Sequence, residues 1–255
     1  NGNTFHQVLL TGPAASITAE PGKITRTSFV DLMNDIVQVE FSGAGTLSVD
    51  LNFFSGPAPA QNYNQPGVSY WKGLARIVIT GADETTNVSV YTVGPLTAVN
   101  QSLFKPGVDY NGVAAIEYIA ITSANGQFGG VRAANVTFAA LDGFAGIYAP
   151  GVNFTGPVNV SHIAANEAAT PVLLLGSTTG DTLVAGGSLL QPNGRAVLVS
   201  GVNRLVFTAG STSHGVGDLP AQLNAARISQ RSIDVTDLIV VDAAHPRAGS
   251  GQGGN

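Results

Sequence analysis

The sequence predicts an all-β fold: a single-stranded parallel β-helix, or β-solenoid, with capping elements at both ends and one short C-terminal helix. Three observations carry this expectation. Short apolar segments recur at a nearly constant interval across residues 130–210, and within them apolar and polar residues alternate. The composition also disfavours helices, because charged residues make up only 11% of the chain while Gly accounts for 32 of its 255 residues.

The recurrence is read from two interleaved sets. Segments 135–138, 158–161, 182–185 and 204–207 align on Val136, Val158, Leu183 and Leu205, whose numbers differ by 22, 25 and 22. A second set, 147–148, 173–175 and 197–199, aligns on Ile147, Leu173 and Val197, with differences of 26 and 24. Two ladders sharing one period are what stacked repeats produce. Helical repeats need about 33–45 residues per unit, whereas about 20–25 suits leucine-rich repeats or β-helix coils. The leucine-rich pattern, with its Asn or Cys at a fixed offset, is absent from the sequence.

Alternation places Val136 and Phe138 on one face and Asn135 and Thr137 on the other; Val158 and Val160 oppose Asn159 and Ser161 in the same way. Stacked at about 4.8 Å per coil, the inward residues would build an apolar column. Glycines between the segments, among them Gly143, Gly146 and Gly151, suit tight corners. Right-handedness is taken from analogy with other parallel coils, and no third wall is assigned.

The chain divides into four parts on this reading. Residues 1–67 form an N-terminal β region and cap, with strands at 7–10, 24–27, 36–41 and 47–53 and a helical turn at 28–33 capped by Ser28. Residues 68–210 supply the coils, beginning with looser strands at 75–80, 87–93 and 116–122. Residues 211–248 form a helix–strand cap, with Leu219, Leu223 and Ala226 at helical spacing and a last strand at 234–241. Residues 249–255 are a Gly-rich tail.

Three stretches, 63–94 (YNQPGVSYWKGLARIVITGADETTNVSVYTVG), 146–158 (GIYAPGVNFTGPV) and 219–241, resemble a family of secreted Verrucomicrobia proteins. The resemblance covers most of the chain. It implies a β-helix and brings no catalytic residue with it.

Composition narrows the function classes. A formal charge of −5 with no basic cluster argues against a nucleic-acid partner. The absence of cysteine removes disulfides and thiolate metal sites. No apolar run reaches the roughly 18–20 residues of a membrane span. The chain opens Asn1-Gly2-Asn3 without Met, which suggests a processed precursor or a trimmed chain; with the low charge and the β-solenoid pattern, the expectation is a secreted or cell-surface bacterial protein, its signal peptide removed.

The residues with chemical potential are few. Tyr63, Tyr70 and Trp71 are the candidate carbohydrate-stacking residues, a hydrophobic plug being the alternative for them. The segment 213–218 (Ser-His-Gly-Val-Gly-Asp) weakly resembles the Gly-His-Gly segment of polygalacturonases, but none of their other motifs accompanies it. Glycosidic cleavage needs two acids about 5–9.5 Å apart, and Asp142, Glu167, Asp181 and Asp218 do not pair in sequence. His6, His162 and His245 have no metal-ligand spacing, and Arg195 and Arg204 read as surface residues. Asn87, Asn100, Asn135, Asn153 and Asn159 open Asn-x-Ser/Thr sequons that a Ser/Thr-rich surface produces by chance. No catalytic residue, metal or cofactor is assigned. The sequence therefore predicts a non-enzymatic secreted or surface scaffold or adhesive. Polysaccharide or another surface protein is the expected partner, and self-association is a third reading. The alternative is a carbohydrate-binding or pectinase-like, polysaccharide-cleaving β-helix.

Overall fold

Every regular element among the described residues is a β-strand. The computed structural model describes residues 4–33, 35–52, 57–59, 69–93, 112–140, 143–165, 169–179, 182–185, 198–200, 204–209, 237–242 and 249–251. The first strands are β1 (Phe5–Leu9), β2 (Ala14–Thr18), β3 (Ile24–Val30), β4 (Ile36–Ser42), β5 (Thr46–Asn52), β6 (Pro57–Pro59) and β7 (Ser69–Trp71). Next come β8 (Leu74–Ala82), β9 (Asn87–Thr92), β10 (Ala114–Ser123), β11 (Gln127–Phe128), β12 (Gly130–Ala140), β13 (Gly143–Tyr148) and β14 (Asn153–Phe154). The last are β15 (Val158–Ala165), β16 (Ala169–Leu174), β17 (Ser177–Thr178), β18 (Thr182–Ala185), β19 (Leu198–Ser200), β20 (Arg204–Ala209), β21 (Asp237–Asp242) and β22 (Gly249–Gly251).

Seventeen strands form one mixed sheet curled into a half-barrel. One line of pairing runs β1–β3–β4–β9–β12–β15–β18–β20–β21–β22. The other runs β2–β5–β8–β10–β13–β16–β19. They join where Ala114, Ala115 and Ile116 pair with Val136, Thr137 and Phe138. A small parallel sheet, β11–β14–β17, and the hairpin β6–β7 stand beside them.

Period-two alternation makes the inner faces apolar. Leu47, Val49 and Leu51 of β5 are buried, as are Ile77 and Ile79 of β8 and Val39 and Phe41 of β4. They belong to one continuous core with Val131, Phe138, Ile147, Phe154 and Val160 from the later strands. Full burial of each such side chain is worth roughly 1.5–3 kcal/mol, so this shared core binds both pairing lines together.

The expected single-stranded parallel β-helix is overturned by strand direction. β4 runs antiparallel to both β3 and β9, and β5 runs antiparallel to both β2 and β8. The reason is local. Only five residues, 31–35, separate β3 from β4, and a parallel return needs a crossover of a dozen or more. The chain turns back there and keeps the reversed direction through β5. It resumes the original direction at β8, which pairs parallel with β10, just as β9 pairs parallel with β12. The expected helical turn at 28–33 is likewise corrected, because Ser28, Phe29 and Val30 are strand residues of β3. The expected C-terminal helix at 219–228 lies outside the described residues, as do the loop at 213–218 and His245.

From β10 onward the ladders are parallel through β20 and β21, but their register differs from the apolar anchors. Val158 pairs with Val131 and Thr182, and Leu183 pairs with Asn159 and Val206. The anchors Val158 and Leu183 are thus one residue out of step, and a slip of one exchanges the two faces of a strand. Ile147 does pair with Leu173, and Leu173 continues to Val199. A register shift in β12 between Ala133 and Thr137 absorbs a further irregularity.

Candidate functional site

Of the predicted stacking residues, Trp71 is half-buried and packs against the core. Tyr70 pairs with Ala58 in the β6–β7 hairpin, and Tyr63 lies outside the described residues. Asp142, Glu167, Asp181, Asp218, Arg195 and Asn100 also lie outside them. His162 falls in β15 opposite Thr137, and Arg204 opens β20 opposite Asp237. His6 Nδ1 is 2.8 Å from Glu20 Oε1, and Lys23 binds the other oxygen of the same carboxylate.

Burial singles out a different set of acids. Asp31, Asp35 and Glu117 are buried, and each is held by donors from distant parts of the chain. Asp31 Oδ1 accepts the N–H groups of Met33 at 2.8 Å and Asp35 at 2.9 Å, while Oδ2 accepts that of Ala115 at 2.8 Å. Asp35 Oδ1 accepts the Gly112 N–H at 3.2 Å. Burial pushes the Asp31 carboxyl up to about 6, against the downward pull of the Ala115 and Asp35 N–H groups. Glu117 sits at a register shift in β10. Its carboxylate binds the Arg76 guanidinium and accepts Asn52 Nδ2–H at 2.8 Å. A buried carboxylate is tolerated when its lone pairs are met in this way.

A second polar network crosses the outer face of β3, β4 and β9. Arg26 Nε and the Tyr91 hydroxyl both donate to Glu40 Oε1, at 2.7 and 2.8 Å. Gln38 Nε2 donates to the Tyr91 oxygen at 2.5 Å. Burial first, and then the Glu40 carboxylate, push the Tyr91 phenol up to about 12. The Arg26 guanidinium also lies over the Phe5 ring, 3.2 Å from its centroid. These groups are engaged with one another across the strands.

Among the described residues a group of three aromatic side chains also faces outward. On β13, Ala145 and Ile147 are buried while Phe144 and Tyr148 point outward, with Tyr148 39% exposed. Tyr118 points outward from β10, directly opposite Gly146. The Tyr118 and Phe144 ring centroids are 4.3 Å apart, and those of Phe144 and Tyr148 are 5.1 Å apart. Three rings therefore cluster on the outer wall where the core has no use for them. The sequence signal was Phe-x-Gly-x-Tyr at 144–148, two rings on one strand face with a glycine between them. Gly146 lies within β13 and not at a corner.

Among the described residues no three His, Asp or Glu side chains gather closely enough to hold a metal ion. No helix among them is long and apolar enough to cross a membrane. No protein-family model matches the chain, and no curated protein or solved structure matches it.

Proposed function

We propose that this chain is a non-enzymatic scaffold with adhesive character, working outside the cell or on its surface. The observation that carries the reading is how the polar chemistry is used. Asp31 and Glu117, two deeply buried acids, are saturated by N–H groups and by Arg76, so they act as joints between strands. General acid–base catalysis needs instead a titratable group within reach of a substrate proton. The low charge of the chain supports the location.

The test is incubation of the full chain with insoluble cell-wall polysaccharide, with and without calcium. The expected result is partition of the protein into the pellet with no release of reducing ends. Release of reducing ends in either condition would overturn the reading in favour of a polysaccharide-cleaving enzyme. Fractionation of the producing cells should place the chain in the medium or on the surface, and a cytoplasmic pool would refute the location.

A further inference from the structure

We infer that the ring cluster of Tyr118, Phe144 and Tyr148 docks a neutral carbohydrate chain. This rests on the adhesive reading above and gives it a ligand class. The cluster is produced by the backbone. Residues four apart in a flat strand stand about 13 Å apart, yet the Phe144 and Tyr148 rings are in contact. Gly146 lies between them at φ 122°, in the left-handed half of conformational space that side-chain-bearing residues avoid. A Cβ there would collide with the Val172 carbonyl oxygen. Only glycine permits this backbone angle, and the rings that flank it are in contact, with Tyr118 closing the group from the neighbouring strand.

The surroundings select the occupant. Arg76, opposite Tyr118 in the ladder, has its guanidinium on the buried Glu117 carboxylate, so the charge beside the rings is compensated. The ladder neighbours of Tyr148 are Ala120 and Leu174, both uncharged. Among the described residues the ladder neighbours of these rings thus carry no uncompensated charge, and ring carbon with the Tyr148 hydroxyl at its exposed end complements the C–H faces and hydroxyl edges of an uncharged sugar. A peptide adding as a strand finds no edge here, because β13 is paired on both sides, to β10 and β16. A second copy is disfavoured by size. A stable interface takes about 800 Å² from each partner, while three rings offer about 150–250 Å² each even when wholly uncovered, and these are at most 39% exposed.

The test is affinity electrophoresis of the full chain in gels containing hydroxyethylcellulose, xylan or galactomannan, with polygalacturonate as the charged comparison. The expected result is retardation by at least one neutral polymer and none by polygalacturonate. Tyr148→Ala should weaken that retardation about tenfold, the order of one lost ring contact, and Tyr148→Phe should retain most of it. Phe144→Leu, which keeps an apolar side chain against the sheet, should also weaken it. Met33→Ala, at an exposed apolar residue of the β3–β4 turn, should match the wild type. Unfolding midpoints equal to wild type for Tyr148→Ala and Met33→Ala establish that folding is not the cause. Wild-type migration unaffected by all three neutral polymers, stronger retardation in polygalacturonate, or a Tyr148→Ala variant retarded like wild type would each overturn the proposal. If the wild type still pellets with cell-wall particles in that case, the adhesive reading survives without this site.

Discussion

The strands before β10 and those after it are held in register by different means. In the earlier block, side chains from separate strands clasp one another: Arg26 with Glu40, Tyr91 with both Glu40 and Gln38, Arg76 and Asn52 with Glu117. Every ion pair among the described residues lies within this block or between it and β10. Among the described residues of the later, parallel strands the cross-strand bonds go mostly to the backbone, the Ser177 hydroxyl on Asn153 Oδ1 at 2.7 Å being the exception. Thr155 donates its N–H and its hydroxyl to the Phe128 carbonyl, and Thr179 does the same to Phe154. The Phe128 and Phe154 rings pack against each other at a tilt of 55°, their centroids 5.4 Å apart. The difference follows from connectivity. Reversed strands need specific partners to fix a register, whereas repeated corners bring like backbone onto like.

β10 is where the two regimes meet, and its acid-mediated joints give the largest expected effect. Glu117→Ala would remove the buried carboxylate that binds the Arg76 guanidinium and accepts from Asn52. Losing one partner of a buried pair costs about 3–5 kcal/mol. The check is a urea unfolding curve, with Glu117→Gln as the milder variant that keeps an acceptor for Asn52. A loss below about 1 kcal/mol, the range of exposed ion pairs, would mean that the early block is not held by this clasp.

The parallel side is broken through the backbone. A Cβ on Gly176 would lie 2.6 Å from the Gly151 carbonyl carbon and 2.7 Å from Val152 N, where the third corner sits on the second. Gly176 N–H also donates to the Val152 carbonyl at 2.8 Å. Gly176→Ala should therefore cost about 1–3 kcal/mol, the usual penalty of overpacking, although it removes no side-chain contact. A thermal midpoint unchanged from wild type would show that the corners do not set the register.

This division also explains what was legible in the sequence. Alternation exposed β4, β5 and β8 because each buries every second residue, as in Leu47, Val49 and Leu51. The parallel pairing of Ile147 with Leu173 was legible for the same reason. The reversal of β4 and β5 was not. Ser28 followed by Phe29 and Leu32 resembles a capped helical turn, and the local windows hold nothing to the contrary. The turn is made instead by the Asp31 carboxylate, which takes the N–H groups of Met33 and Asp35 and reaches Ala115, 84 residues away. A partner so remote leaves no periodic trace. The ring cluster was hidden in another way, since its geometry depends on one backbone angle at Gly146.

The subtlest expected effect lies at that same turn and depends on pH. In the unfolded chain Asp31 titrates near the ordinary carboxylate value of about 3.9, whereas in the fold burial raises it to about 6. Between those values the folded chain holds a proton that the unfolded chain has released. Stability from this group is therefore full below about pH 4 and is lost as pH rises through about 6. Asp35 faces it from the far side of the turn and raises it further by repulsion. Urea midpoints should consequently fall between pH 4 and pH 7. Asp31→Asn removes the titration but turns an N–H donor toward the Ala115 N–H, so it should be weaker than wild type at pH 4 by about 1–2 kcal/mol. That deficit should narrow by pH 7, where the wild type carries the buried charge and the variant does not. Two curves that stay parallel across the range would mean that Asp31 does not titrate there. The turn that reverses β4 would then rest on its N–H bonds alone.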